Sequence, residues 1–489
     1  MLFNSLNFII FFPVTIIVYY LIPKQYRHIG LLSSSWFFYG CFGFTCFLLL
    51  LGCTVVTYAG GRLIEGKNAE SRKRILILCI VFCLCLLGVF KYCEFAIRNI
   101  NAVLGMMRIN VAVPMVSLML PAGISFYTFK SMSYVIDVYN GKVSAEKNFL
   151  KYALFVSFFP QIIAGPIDRA DNLLAQINVT SGFSEEDFRN GSLLMLWGYF
   201  EKLVIADRLG VLVDTVYDNY NTYSGAAITL ATIMYGIQIY ADFAGYSHIA
   251  IGASRILGYK VKDNFRQPYF AANIKDFWSR WHISMSTWFR DYLYIPLGGN
   301  RKGRFRKNVN NMLTFLASGL WHGSSWNFVV WGGIHGIYNV ISDITAGFRD
   351  KAAGITHFDG QRVSGRLFKG IVTFILADYA WMYFRAGSLS EAFNMTLRIL
   401  TDFRLYTVCG DWIYDLGLSE MQVRSLMPAI FVLFVVDMVH EKNISIIDWL
   451  KKQGVVFRFS CYIFSILLIM LAAVQNLGRS SAGFIYFRF

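Results

Sequence analysis

Charge is what this chain of 489 residues has little of. Asp, Glu, Lys and Arg make up 15% of it, where a soluble chain carries roughly 25%. With hydrophobic residues at 56%, so few charges cannot cover globular surfaces, which excludes a soluble multidomain protein. Acidic residues are the scarcer sign, 30 against 45 basic, for a net charge of +15. That excess looks suited to nucleic acid until it is located. It sits in short loops between apolar runs, so it reads as topology and lipid contact rather than DNA binding. The chain is expected to be a polytopic integral membrane protein with roughly a dozen crossings at most.

Two further things are missing. No basic leader precedes the first apolar stretch, since the first basic residue is Lys24. Residues 6–22 are therefore expected to be a retained first helix, with the N-terminus outside and Lys24, Arg27 and His28 inside. No histidine or carboxylate completes a metal set around the nine cysteines, although Cys79 and Cys83 have helical i, i+4 spacing. Buried apolar thiols and no metal site are expected.

Apolar runs fall near 6–22, 30–59 (a hairpin broken around Gly40–Gly43), 75–91, 115–136, 149–165, 192–206, 226–257, 309–340, 367–384, 426–439 and 457–475. Several are short, broken by glycine or carry polar residues. This suggests re-entrant or tilted segments around an internal cavity. Basic loops set the orientation. Arg62, Lys67, Arg72, Lys73 and Arg74 place 60–74 in the cytoplasm, and Arg301, Lys302, Arg304, Arg306 and Lys307 do the same for 298–308. The polar stretch 387–425, with Asp402, Asp411, Asp415 and Glu420, is expected outside. No repeat or long linker appears, so a single membrane domain over 1–489 is expected.

Polar chemistry concentrates in three places. In 276–299, Trp278, Trp281, Met285, Trp288 and Tyr292 recur at three- and four-residue steps, while Arg280, Ser284, Thr287 and Asp291 form a separate polar face. That pattern predicts one interfacial helix. His282 flanks its Trp face, where a satisfied interfacial histidine is as natural as a catalytic one. In 310–336, His322 stands inside an apolar run between Trp321 and Gly323. An ionisable residue at membrane depth marks a functional site by default, and a neutral imidazole can act as a base. A structural histidine bonded to a carbonyl is the competing reading, and it is preferred for His335. In 239–258, Asp242, Tyr246, Ser247 and His248 interrupt an apolar run. They line a tunnel or bind across helices, and for Asp242 a hydrogen-bonded scaffold is preferred.

These stretches together resemble bacterial membrane-bound O-acyltransferases (MBOATs) of the alginate O-acetyltransferase type. The matching segments are PAGISFYTFKSMSYVIDVY (121–139), FFPQIIAGPI (158–167), YADFAGYSHIAIG (240–252), FWSRWHISMSTWFRDYLYIPLGGNR (277–301) and SGLWHGSSWNFVVWGGIHG (318–336). The resemblance implies an all-α fold, a ring of transmembrane and re-entrant helices around a central funnel. It also implies a catalytic pair, with His322 as general base and His282 orienting or polarising the acyl carbonyl. Trp321, Trp281, Asp242, Asn327, Arg290 and Asp291 would support the tunnel. The implied donor is acetyl-CoA or another cytoplasmic thioester, with no bound cofactor. Arg301, Lys302, Arg304, Arg306 and Lys307 could attract its phosphates, although a positive-inside anchor explains them equally.

The chain finishes SSAGFIYFRF (480–489), with Ile485, Phe487 and Phe489 on one side of an extended strand. This is similar to the aromatic motif that a small partner protein carries into the acyltransferase of teichoic acid D-alanylation. Tyr486 is accordingly expected to carry the acyl group as an ester and pass it outward. A tail that merely packs is the competing reading. The leading expectation is an inner-membrane O-acetyltransferase subunit for an exported or cell-surface polysaccharide, completed by an extracellular or membrane-anchored SGNH-type partner. D-alanyl transfer to teichoic acid is the alternative within the family, and a transporter or channel the alternative outside it.

Overall fold

The computed structural model describes residues 1–116, 118–179, 182–356, 359–360 and 362–475. Every regular element among them is helical. In lipid each backbone N–H and C=O must find its partner within the segment, which a helix achieves alone. In chain order the main helices are α1 Leu6–Leu21, α2 Arg27–Gly40, α3 Phe44–Ile64, α4 Ala69–Met106, α5 Ile124–Tyr139, α6 Phe149–Ser157, α7 over 185–218 and α8 Gly225–Ile256. Then follow α9 Ile274–Arg280, α10 Ile283–Phe289, α11 Gly303–His322, α12 Trp326–Ile344, α13 Ala346–Ile355, α14 Val363–Arg385, α15 Leu389–Thr401, α16 Glu420–Glu441, α17 Ile446–Lys451 and α18 Val455–Gln475. Among the described residues, six helices (α3, α4, α8, α14, α16 and α18) are long and apolar enough to cross a membrane. The protein is a multi-pass, all-helical membrane protein.

Its described residues gather into two compact units, 1–195 with 249–262, and 196–248 with 263–489. In the first, Phe3, Phe8, Phe38 and Phe159 form an aromatic cluster, and Tyr152 donates to Thr57 at 2.8 Å. Gly123, at φ +71°, starts α5 so close to the 162 carbonyl that a Cβ there would lie 2.1 Å from its oxygen. The expected break at Gly40–Gly43 is present, with Gly43 at φ +118° between α2 and α3.

The second unit holds a buried ion triad that a cationic residue in the 192–206 run makes possible. A π-helical stretch, Phe200–Ala206, interrupts α7. There Lys202 meets Asp207 at 2.8 Å and Asp242 at 2.7 Å. The next-door Glu201 bonds His248 at 2.6 Å. Asp242 thus ties α8 to the π-helical stretch through Lys202.

The apolar run 309–340 forms the antiparallel pair α11 and α12, turned at Gly323–Ser325. The single helix that periodicity predicts over 276–299 is absent. It forms α9 and α10, seven residues each, separated by Trp281 and by His282 at φ +42°. Its Trp face is packed inside the protein, with Trp281 against Phe277, Phe265 and Trp381 at 4.8–5.5 Å between ring centroids. A left-handed residue redirects the chain, so residues before and after it no longer share one helical face.

Candidate active site

Glycine places His322. α11 and α12 cross with backbones in contact: a Cβ on Gly319 would lie 2.3 Å from the Phe328 carbonyl oxygen, and one on Gly332 would lie 2.3 Å from that of Phe315. A Cβ on Gly323 would enter the Phe328 ring at 2.2 Å. The glycines around GLWHG therefore admit a neighbouring helix, and α11 delivers His322 as its last residue. Asn327 fixes the start of α12 to the end of α14. Its amide donates to the Ala386 carbonyl at 3.0 Å and to that of Tyr383 at 3.3 Å, and its oxygen accepts from Ser325.

The His322 ring lies in an aromatic cage, with centroids 4.9 Å from Trp321, 5.0 Å from Trp331 and 5.4 Å from Phe384. His282 is 6.3 Å from His322 and 5.9 Å from Trp321, with the edge of Phe243 at 4.6 Å on its other side. Both histidines are buried. Centroids 6.3 Å apart are too distant for a direct N–H···N bond but leave room for one oxygen that touches both rings.

A positive φ at a residue with a side chain costs about 1–3 kcal/mol and persists only where its surroundings impose it. Around His282 the stretch 264–266 does so. Ile283 N–H donates to the Asn264 carbonyl at 2.9 Å, and Arg266 N–H to the Arg280 carbonyl at 2.9 Å. His282 and Ser284, assigned by helical periodicity to different faces, converge on the Asn264 side chain.

The remaining expected residues divide. Trp281 belongs to the wall that continues through Trp381 and Trp331 to His322. Arg290 and Asp291 pair with each other at 2.7 Å. Arg290 instead borders a cavity of about 730 Å³ that also involves Lys275, Asn300, Lys307, Asn311 and Ser318. Ser318 lies one helical turn before His322, and the cavity also reaches Ile283, next to His282. Of the basic loop, Lys307 alone lines this cavity; Arg301, Lys302, Arg304 and Arg306 do not. Lys307 and Arg304 both engage Asp343, whose carboxyl is held below the usual range by the Lys307 hydrogen bond first and by Arg304 next. His335 accepts from the Trp278 indole at 3.2 Å and is a packing residue. Tyr486 lies outside the described residues.

A family model described as MBOAT, membrane-bound O-acyltransferase, matches residues 18–361. The chain belongs to the membrane-bound O-acyltransferase family. It is 38% identical over 440 residues to the probable alginate O-acetylase AlgI of Pseudomonas aeruginosa, a match covering 88% of this chain and 81% of that one. It is 33% identical over 433 residues to the peptidoglycan O-acetyltransferase of Helicobacter pylori, covering 81% and 79%. The teichoic acid D-alanyltransferase of Bacillus subtilis is 32% identical over 230 residues, covering 44% and 57%. As a member of the MBOAT family the protein is an acyltransferase rather than a transporter, and its reaction consumes an acyl donor. Sequence reasoning missed three parts of it. Lys202, a charge inside an apolar run, carried a usable signal. Asn264 sits in a polar loop and carried none, and the cavity is assembled from five helices, α9 to α13, that no single motif spans.

Proposed function

We propose that this MBOAT protein takes an acetyl group from a cytoplasmic thioester, with acetyl-CoA as donor, and passes it across the bacterial inner membrane. The final acceptors are hydroxyls of an exported or cell-surface polysaccharide. The observation that carries this reading is the buried His282–His322 pair, 6.3 Å apart. An acceptor oxygen between the rings would have a proton acceptor and a hydrogen-bond donor at once.

The relatives named for alginate and peptidoglycan favour an acetyl group and a polymer acceptor. D-alanyl transfer has a relative that aligns with only 44% of the chain. The family match over 18–361 takes in residues of both compact units, which favours one membrane domain over 1–489. The donor reading draws on the cavity beside Lys275, Arg290 and Lys307, whose cations suit a nucleotide phosphate. α11 starts beside the basic loop, and α12 returns to it at Asp343. A helix of 20 residues rises about 30 Å, so His322 sits at the far tip of a hairpin rooted on the cytoplasmic side. Tyr486 serves as the acyl relay to an SGNH-type partner outside the membrane.

The test is labelled acetyl-CoA given to inside-out vesicles, with label followed into the protein and the polymer. His322→Ala, inserted at wild-type level, is expected to lose about 10²–10⁴-fold; ordinary transfer by that variant overturns the reading. Tyr486→Phe keeps the ring and removes the hydroxyl. Full polymer acetylation in Tyr486→Phe sinks the relay and leaves the histidine pair standing.

A further inference from the structure

Buried hydroxyls on the helices of this protein commonly return to their own backbone. Thr54, Thr57, Thr128, Ser157, Thr232 and Ser254 each donate to the carbonyl four residues earlier, at 2.6–2.8 Å. On α11, Thr314 does the same to Asn310 at 2.7 Å. Ser318, one turn further along α11, does not. It is 4% exposed, and its Oγ has no hydrogen-bond partner among the described residues. A buried polar atom left unpaired costs about 1–3 kcal/mol, so a partner that arrives with a ligand is the natural explanation.

The place of Ser318 on α11 says which ligand group that is. Lys307, Asn311, Thr314 and Ser318 all line the cavity of about 730 Å³. Their spacing of four, three and four residues puts them on one helical face, which His322 continues four residues later. From Lys307 to Ser318 the row rises about 16 Å. A donor lying along it, with a phosphate at Lys307, brings its far end to Ser318. Residues four apart on a helix have Cβ atoms about 5–6 Å from one another. A group that bonds the Ser318 hydroxyl is therefore within one turn of the His322 imidazole, where the reacting carbonyl must lie.

We infer that the Ser318 hydroxyl donates a hydrogen bond to the acyl carbonyl oxygen of the thioester donor and stabilises the negative charge that this oxygen gains during transfer. The inference rests on the reading of His322 as the base of the buried pair. As His322 takes the proton of the acceptor hydroxyl, the acceptor oxygen bonds to the acyl carbon and the carbonyl π pair moves onto its oxygen, which Ser318 holds. The pair then re-forms the carbonyl, the carbon–sulfur bond breaks, and the leaving thiolate takes the proton from His322. A carbonyl oxygen has two lone pairs, so Ser318 adds to the contact that the resemblance assigns to His282.

The test uses the full chain in nanodiscs, with labelled acetyl-CoA as donor and the thermal midpoint measured beside the rate. Ser318→Ala is expected to lower kcat by about 10²–10³-fold with little change in KM, because the bond strengthens as the oxygen becomes charged. Its midpoint should stay level or rise, since the hydroxyl it removes has no partner in the protein. Ser318→Cys, with a weaker S–H donor, should fall between Ser318→Ala and wild type in kcat. Wild-type kcat in Ser318→Ala overturns the inference. So does a midpoint lowered in both variants in step with their activity, which marks a structural hydroxyl. Ordinary transfer by His322→Ala is a different result, since it removes the reading of the histidine pair itself.

Discussion

Adding one methyl group at Gly319 tests whether backbone contact between two helices sets the catalytic geometry. In Gly319→Ala the new Cβ would stand 2.3 Å from the Phe328 carbonyl oxygen, whereas ordinary contact begins at 3.4 Å. The obstacle is helix backbone, which cannot rotate aside as a side chain does, so α11 and α12 must separate by about 1 Å. His322 lies three residues beyond Gly319 on α11 and moves with it. A shift of about 1 Å at a reacting group costs on the order of 10²-fold in rate. Overpacking of this kind destabilises by about 1–3 kcal/mol, offset by about 0.5–1 kcal/mol from replacing glycine with alanine in a helix. The control is Gly333→Ala on α12, where the new Cβ meets only the Leu316 Cδ2 at an ordinary 3.6 Å. The assay is acetyl transfer in nanodiscs beside the thermal midpoint of each variant. Gly319→Ala should be markedly slower and slightly less stable, and Gly333→Ala should keep the wild-type rate with a slightly raised midpoint. Equal rates and midpoints for both variants would refute the reasoning.

The buried triad and the basic cavity give the other expectations. Lys202→Met leaves the Asp207 and Asp242 carboxylates, 7% and 5% exposed at their side chains, without their cation. It should destabilise by about 3–5 kcal/mol. Adding Asp207→Asn and Asp242→Asn should restore much of the loss, read as thermal midpoint. Lys307→Ala should raise the KM for the acyl donor with little change in kcat, because Lys307 lines the cavity. Arg301→Ala and Arg306→Ala, outside that lining, should leave KM alone. A uniform rise across all three would favour long-range attraction by the loop over a bound phosphate.

What hydropathy could read, it read well. The span expected over 226–257 is the helix Gly225–Ile256, and 457–475 is Val455–Gln475, and the ends agree to within two residues although the first is 78% buried inside the protein and the second 11%. It does not show where the backbone turns inside a run: Gly323, Ser324 and Ser325 turn α11 into α12, and a window of about 19 residues averages them away. Helical periodicity failed at Trp281–His282 for a related reason. Periodicity assumes right-handed backbone throughout, and one left-handed residue invalidates every face assigned after it.

The failure at His282 reaches furthest, because that backbone turn also determines the chemistry. On a continuous helix, the periodicity of the segment kept His282 and Ser284 on separate faces, and no shared partner would follow. The left-handed turn brings both to Asn264, 18 residues earlier in the chain, together with Ser247, 17 residues earlier still. Three side chains from one irregular loop, one membrane helix and one short helix then set a single tautomer. A family motif marks the histidine but not its hydrogen-bond partner, since Asn264 lies between the matching segments 240–252 and 277–301. The role of a catalytic histidine is therefore a property of its hydrogen-bond partners.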